Sequence, residues 1–295
     1  MIFHDFGMTT ASLAGSLETK LASVRDAGFS QVMIAASDVV SHPGGPAAGV
    51  RAVRECGLEV TGLEALRDFE GLEGQLHAYK LDVAKSMLEV CADLGSRLIL
   101  VEASASKHAS GDAELVVRDL RKLALLAVPL GIRVAFKGQP WSRTARDFRQ
   151  VADLVLRADV PNLGAAVDAF DVLASGVPQD DLDILDPDQV FLVQISDYMW
   201  QEIRSAEEEE STAAHFRVFP GEGAHSEGLA QFVSHLDTIG YVGSYSFDVY
   251  NDDFVQMPPA TVCRRARRAA TWLAETVLRR VLPVPNVERL RAARG

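Results

Sequence analysis

Polar side chains that end runs of apolar, β-branched residues are the first chemical signal in this chain. Glu64 and Arg67 follow Leu58-Glu59-Val60-Thr61-Gly62-Leu63, Glu102 follows Arg97-Leu98-Ile99-Leu100-Val101, and Lys137 follows Ile132-Arg133-Val134-Ala135-Phe136. Asp168 ends Leu163 to Val167, Gln194 and Asp197 sit at the end of Val190 to Ile195, and Asp248 follows Tyr245-Ser246-Phe247. Any one of them could cap a helix or answer a neighbouring charge. Repeated at run after run, they would be costly to bury as core and are better explained as the lining of a polar pocket.

Two connecting segments add to that set. Arg67-Asp68-Phe69-Glu70-Gly71 supplies one guanidinium, and His215-Phe216-Arg217-Val218-Phe219-Pro220-Gly221-Glu222-Gly223 supplies an imidazole and a second. The proline beside glycine makes a stiff turn that would hold His215 and Arg217 over the pocket. An arginine grips a carboxylate or phosphate with two parallel bonds, so Arg67 and Arg217 are candidate anion binders. His215 is the first choice for proton transfer. Trp141, in Phe136-Lys137-Gly138-Gln139-Pro140-Trp141, either covers a ring-shaped substrate or packs under a loop.

The elements that must position these groups alternate along the chain. Leu17 to Ala27, Tyr79 to Leu94, Ala113 to Leu130 and Leu229 to Ile239 have helical apolar spacing, and each stops at a glycine. Glycine takes the left-handed conformation cheaply and so ends helices. A short strand pattern follows each stop. Val50 to Cys56 and Ala145 to Arg157 add further helices, and with Ile2 to Phe6 as the opening strand, eight strands alternate with helices. That alternation predicts a parallel sheet closed into a single-domain α/β barrel, a (β/α)8 TIM barrel over residues 1–281. Thr271 to Val281 reads as a last helix and 282–295 as a C-terminal extension. In such a barrel the active site lies at the C-terminal ends of the strands.

Composition narrows the partners. A net charge of −12 over 295 residues argues against a nucleic-acid groove or an anionic membrane as partner. The expected partner is a small-molecule substrate. No apolar stretch has the length of a membrane span, and Met1-Ile2-Phe3-His4-Asp5 does not open like a secretory signal, so a cytoplasmic location is expected. Cys56, Cys91 and Cys263 have no metal-type spacing and are expected to be free thiols. Arg264, Arg265, Arg267 and Arg268, and separately Glu207 to Glu210, read as solvated faces. His4, His108 and His225 could each reach the pocket.

In these same residues the chain resembles the sugar phosphate isomerase/epimerase superfamily, the xylose-isomerase-like barrels, and within it the 3-dehydroshikimate dehydratase branch. The matching stretches are Leu13 to Leu21, Ala27-Gly28-Phe29, Arg67 to Gly71, Pro161 to Gly164 with Asp168, Phe219 to Gly223, and Tyr250 to Phe254. The resemblance implies a divalent metal, manganese or magnesium, held by a Glu, an Asp, a Gln or His, and a second Glu at the ends of strands five to eight. It implies proton removal next to a ketone and loss of a hydroxyl as water, with dehydration of 3-dehydroshikimate to protocatechuate the nearest named activity. Carried over by position, Asp168 and Gln194 match the second and third ligands, and Asp248 stands where the last Glu is expected.

The chain departs from that pattern at the first ligand, where Lys137 replaces Glu. An ammonium has no lone pair to donate and repels a divalent cation. A second departure is Asp171, where the family usually has His three residues after the Asp; a third is Ala224, where an acid is common. The expected cofactor is therefore none, or a weakly bound manganese or magnesium at Asp168, Gln194 and Asp248. Catalysis would fall to Lys137, His215 and Asp168, with substrate held by Arg67, Arg217, Glu102, Trp141 and Asp197. Lys137 would act as an electrophile in place of the metal or, against the surrounding carboxylates, as a Schiff-base amine. The alternative is a non-catalytic ligand-binding or scaffold relative. A homodimer is common among such barrels, though the sequence specifies no interface.

Overall fold

Short aliphatic runs set the architecture, and in the computed structural model, which describes residues 4–279, they become eight parallel strands. These are β1 Phe6–Met8, β2 Gln31–Ala35, β3 Glu59–Arg67 and β4 Leu98–Glu102. They continue as β5 Arg133–Lys137, β6 Leu163–Asp168, β7 Val190–Ile195 and β8 Tyr245–Phe247. Their order around the sheet is β1-β8-β7-β6-β5-β4-β3-β2. A parallel bridge from Thr9 to Met33 brings the two ends of the sheet together, giving a nearly closed (β/α)8 barrel. No helix among the described residues is long and apolar enough to cross a membrane.

Strand alternation decides which side chains meet inside. Met33, Leu98, Leu100, Ala135, Ala166, Phe191 and Leu192 form a buried apolar cluster separate from the larger core. Two residues on from Leu100, Ala135, Ala166 and Leu192 stand Glu102, Lys137, Asp168 and Gln194. Side chains at i and i+2 share a face, so these four lie directly above the apolar plug. Register sets them in two steps: Arg67 is opposite Glu102 and Glu102 opposite Lys137, while Lys137 is opposite Ala166, so Asp168 and its partner Gln194 stand two residues further along their strands.

Several boundaries differ from the sequence reading: β3 runs on through Glu64 to Arg67 instead of ending at Leu63, and the helices read from Val50 and Tyr79 begin at Pro46 and Gly74. The opening strand is Phe6–Met8 rather than Ile2 to Phe6, because Phe6 pairs with Tyr245 and stacks on it at 5.4 Å. His4 therefore precedes the strand, exposed and at the end away from the C-terminal mouth. The last α-helix is Pro259–Trp272, followed by a π-turn at Leu273–Val277. Proline fits the first helical turn, where its missing N–H is not needed, and so fixes that early start. The end of the expected last helix, at Val281, and the extension 282–295 lie outside the described residues. Finally, the helix expected from Ala145 is Phe148–Ala158, set by Asp147, whose side chain accepts from Arg149 and Gln150 N–H.

Candidate active site

Lys137 ends β5 with its ammonium buried at the centre of the polar layer. Its Nζ donates to Gln194 Oε1 at 2.8 Å and lies 3.4 Å from Glu102 Oε1, 3.7 Å from Asp168 Oδ2 and 3.9 Å from Asp248 Oδ2. A second cation sits on the same carboxylates. Arg217 Nη1 donates to Asp168 Oδ2 at 2.7 Å and to Asp248 Oδ2 at 3.3 Å, while its Nε donates to the Ala213 carbonyl at 3.0 Å. Its guanidinium lies 4.3 Å over the Phe170 ring. A third cation, Arg67, is largely exposed and donates from Nε to Glu102 Oε2 at 2.5 Å.

Electrostatics follow from this crowding. Burial pushes the Lys137 ammonium down, but Glu102, Asp168 and Asp248 together outweigh it, so the group is held above the usual lysine range. Arg217 is raised the same way, against burial, by Asp168, Asp248 and Asp171. Burial raises Glu102, yet Lys137 and Arg67 overcome this and hold it below the usual carboxylate range. Asp171 goes well above that range, through burial first and then Asp168. Glu64, whose carboxylate accepts from the Thr9 hydroxyl, is pushed up to about 8 by burial and then by Asp248. Burial also raises Asp248, opposed by Lys137 and Arg217.

Above this layer opens a cavity of about 380 Å³, at the low end of small-ligand sites. Arg67, Glu102, Lys137, Trp141, Arg217 and Asp248 are on its wall, as the sequence reading expected of a pocket. Asp168 and Gln194 stand behind, held by Arg217 and Lys137. Trp141 both lines the cavity and packs against the Phe170 and Tyr198 cluster. Asp171 and Tyr250, to which the sequence reading gave no role, also line the cavity, and Glu64, read there as a pocket residue, is buried beside Asp248 rather than on the wall. The only signal for Asp171 is its place one helical turn after Asp168. Tyr250 is two residues beyond Asp248, and its carbonyl accepts from Arg217 N–H at 3.0 Å, which locks the two segments together.

Several expected site residues are placed otherwise. His215 is off the pocket wall: it ends the helix Ala206–His215 half exposed, with Nδ1 3.1 Å from Asp252, while Ala213 and Ala214 of the same helix face the cavity. Asp197 is fully buried, and its Oδ1 accepts from Tyr198 and His225 N–H at 2.8 and 3.1 Å. It braces the Pro220–Gly223 turn, where a Cβ on Gly223 would come 2.4 Å from Asp197 Cγ. Arg217, expected to hold an anion of the substrate, spends its charge on protein carboxylates. His108 and His225 also lie off the wall, the latter with Nε2 2.8 Å from the Trp200 carbonyl. The acidic run is not wholly solvated, since Glu209 is buried and Glu210 reaches the cavity. Arg265 is likewise partly buried, paired through two bonds of 2.8 Å with Glu222.

The residues present do not fit the divalent metal that the resemblance implies. The oxygens that would serve, Gln194 Oε1, Asp168 Oδ2 and Asp248 Oδ2, face the Lys137 ammonium, and two of them also face Arg217. Among the described residues no group of three His, Cys, Asp or Glu side chains is arranged to hold a metal ion.

Comparison with known proteins bears on the whole barrel. The family model described as a xylose isomerase-like TIM barrel matches residues 21–276. A 3-dehydroshikimate dehydratase of Pseudomonas aeruginosa is 32% identical over 289 residues, which is 97% of this chain and 44% of that protein. An inosose isomerase of Bacillus licheniformis is 26% identical over 70% of this chain and 72% of its own length. Among solved structures, a xylose isomerase-like TIM barrel/4-hydroxyphenylpyruvate dioxygenase fusion protein superposes with a TM-score of 0.86 at 29% identity, over 95% of this chain and 45% of that one. The chain thus spans less than half the length of the Pseudomonas dehydratase and of the fusion protein.

Proposed function

The chain belongs to the xylose isomerase-like TIM barrel family, and from that premise we propose that it is a lyase or isomerase acting on a small polyhydroxylated keto acid or sugar-like ketone. The reaction begins with removal of a proton next to the carbonyl. The observation that carries this reading is Lys137: a buried, pocket-facing ammonium held by Gln194, Glu102, Asp168 and Asp248 at the floor of the cavity. As the proton leaves, negative charge grows on the carbonyl oxygen, and a fixed cation in a site with little water stabilises it strongly. The same carboxylates keep Lys137 charged, which suits an electrophile and opposes a Schiff-base amine. Arg67, exposed at the rim, is the cation best placed to meet an acid group of the substrate. The chemistry is then independent of a divalent metal.

The test is turnover of 3-dehydroshikimate and of an inosose, the compounds in the relatives' names, by protein purified without chelator. Expected is product formation that neither EDTA nor added manganese changes, and a metal content far below one per chain. Lys137→Glu should lose this activity and gain manganese binding. Tight stoichiometric metal with chelator-sensitive turnover would overturn the metal-independent reading. Bound ketone without turnover of any of them would favour the non-catalytic relative.

A further inference from the structure

The proposed reaction needs a group that moves a proton at the reacting carbon, and His215 does not reach the cavity. Among carboxyls on its wall, Glu102 is taken up by Arg67 and Lys137, Asp68 accepts from the Ser104 hydroxyl and the Ala105 and Ser106 N–H groups, and Glu210 is exposed on its helix. Two others each keep a buried oxygen with no hydrogen-bond donor, Asp171 Oδ1 and Asp248 Oδ1. Asp248 answers both cations through its other oxygen, 3.3 Å from Arg217 and 3.9 Å from Lys137, so it is needed as a standing anion. Asp171 is held more loosely. Its one ion pair among the described residues is a 4.0 Å contact from Oδ1 to Arg217 Nη2, with no hydrogen bond to that oxygen, so a change of protonation there disturbs less than it would at Glu102 or Asp248. It stands in the first turn after β6, on backbone fixed by the barrel rather than on a loop.

We infer that Asp171 is the group that takes the proton from the carbon beside the carbonyl and hands it on. This role rests on the reaction proposed above. The Asp171 carboxylate removes the proton, the C–H electron pair becomes the C=C bond of the enolate, and the enolate oxygen takes up the former carbonyl pair beside Lys137. In an isomerisation or epimerisation a proton returns to carbon. In a dehydration the enolate re-forms the ketone, the neighbouring C–O bond breaks, and the departing hydroxyl takes the proton from Asp171 to leave as water. A carboxyl that burial and Asp168 hold well above its usual range is a stronger base than a solvated one and reloads more easily, which suits both halves.

The experiment follows the proton without requiring net turnover. 3-Dehydroshikimate and an inosose are incubated with the protein in heavy water, and replacement of the hydrogen next to the carbonyl by deuterium is read by NMR. Calorimetry gives the affinity for the same compounds. The unaltered protein should exchange that hydrogen, and Asp171→Asn should exchange it about 100-fold more slowly or worse while binding within a few-fold of the original. Asp171→Glu should recover part of the rate. If the amide variant does not fold, Asp171→Ser carries the same comparison. A folded Asp171→Asn that exchanges at the original rate would refute the role while leaving the reaction class standing. So would a variant that loses only affinity. Unaltered protein that exchanges neither compound fails earlier, before any substitution, and takes the reaction class and the role down together.

Discussion

A lysine ammonium buried beneath a cavity survives only where its charge is matched, and that ties Lys137 to folding as closely as to chemistry. Its carboxylate neighbours lie at 3.4, 3.7 and 3.9 Å, with Gln194 completing the contact at 2.8 Å. Desolvating such a set costs several kcal/mol per ion, offset only while every partner is present. Lys137→Met keeps the length and removes the charge, leaving Arg217 and Arg67 to face the remaining acids. Its expected cost is about 3–5 kcal/mol in urea unfolding. The loss should shrink below about pH 5, because carboxylates stranded without the ammonium take up protons more readily in the folded chain than in the unfolded one. A methionine variant as stable as the original at pH 8 would mean that the ammonium is not what neutralises these acids.

The stiff turn after Arg217 works at the scale of elements. Phe219–Gly223 is held from three sides: Glu222 takes two 2.8 Å bonds from Arg265 of the last helix, Asp197 accepts beside it, and Gly223 has no room for a Cβ. Arg265 itself stacks 4.1 Å from the centre of the Phe254 ring. Glu222→Ala should cost about 1 kcal/mol, the upper end for a partly exposed pair, and lower the melting point by about 2–4 °C. In 1 M salt the gap should narrow, since the pair is only partly shielded from ions. An unchanged melting point at low salt would show that the clamp holds nothing. The sequence displayed the strand ends of this design clearly, because Leu98-Leu100-Glu102 and Leu192-Gln194 keep an inward period of two. It did not display β1, since Phe6-Gly7-Met8 is three residues long with no β-branched member. Nor could it phase the glutamate-rich helix Ala206–His215, where alanines rather than the histidine turn to the cavity. Asp197, an odd number of residues past Gln194, was read as a wall residue because a strand end alone does not say where the chain next bends.

At the scale of the whole molecule, an acidic chain places more carboxyls than cations around one cavity and settles the difference with protons. Glu64 shows how that reaches stability. Buried at the end of the barrel interior and facing Asp248, its carboxyl is raised to about 8 in the folded chain, against about 4.5 when solvated. Between those values the folded chain holds a proton that the unfolded chain has released, so stability falls as pH rises across the window, by at most roughly 1.4 kcal/mol per pH unit from this one group. Below about 4.5 both states carry the proton and the term is fully favourable; above about 8 both have lost it and no more is forfeited. Glu64→Gln keeps an oxygen to accept from the Thr9 hydroxyl and removes the titration. Thermal melts from pH 5 to 9 should therefore show a flatter profile for the variant, matching the original near pH 5 and exceeding it at pH 8 and above. Parallel profiles would mean that Glu64 is already ionised in the folded barrel.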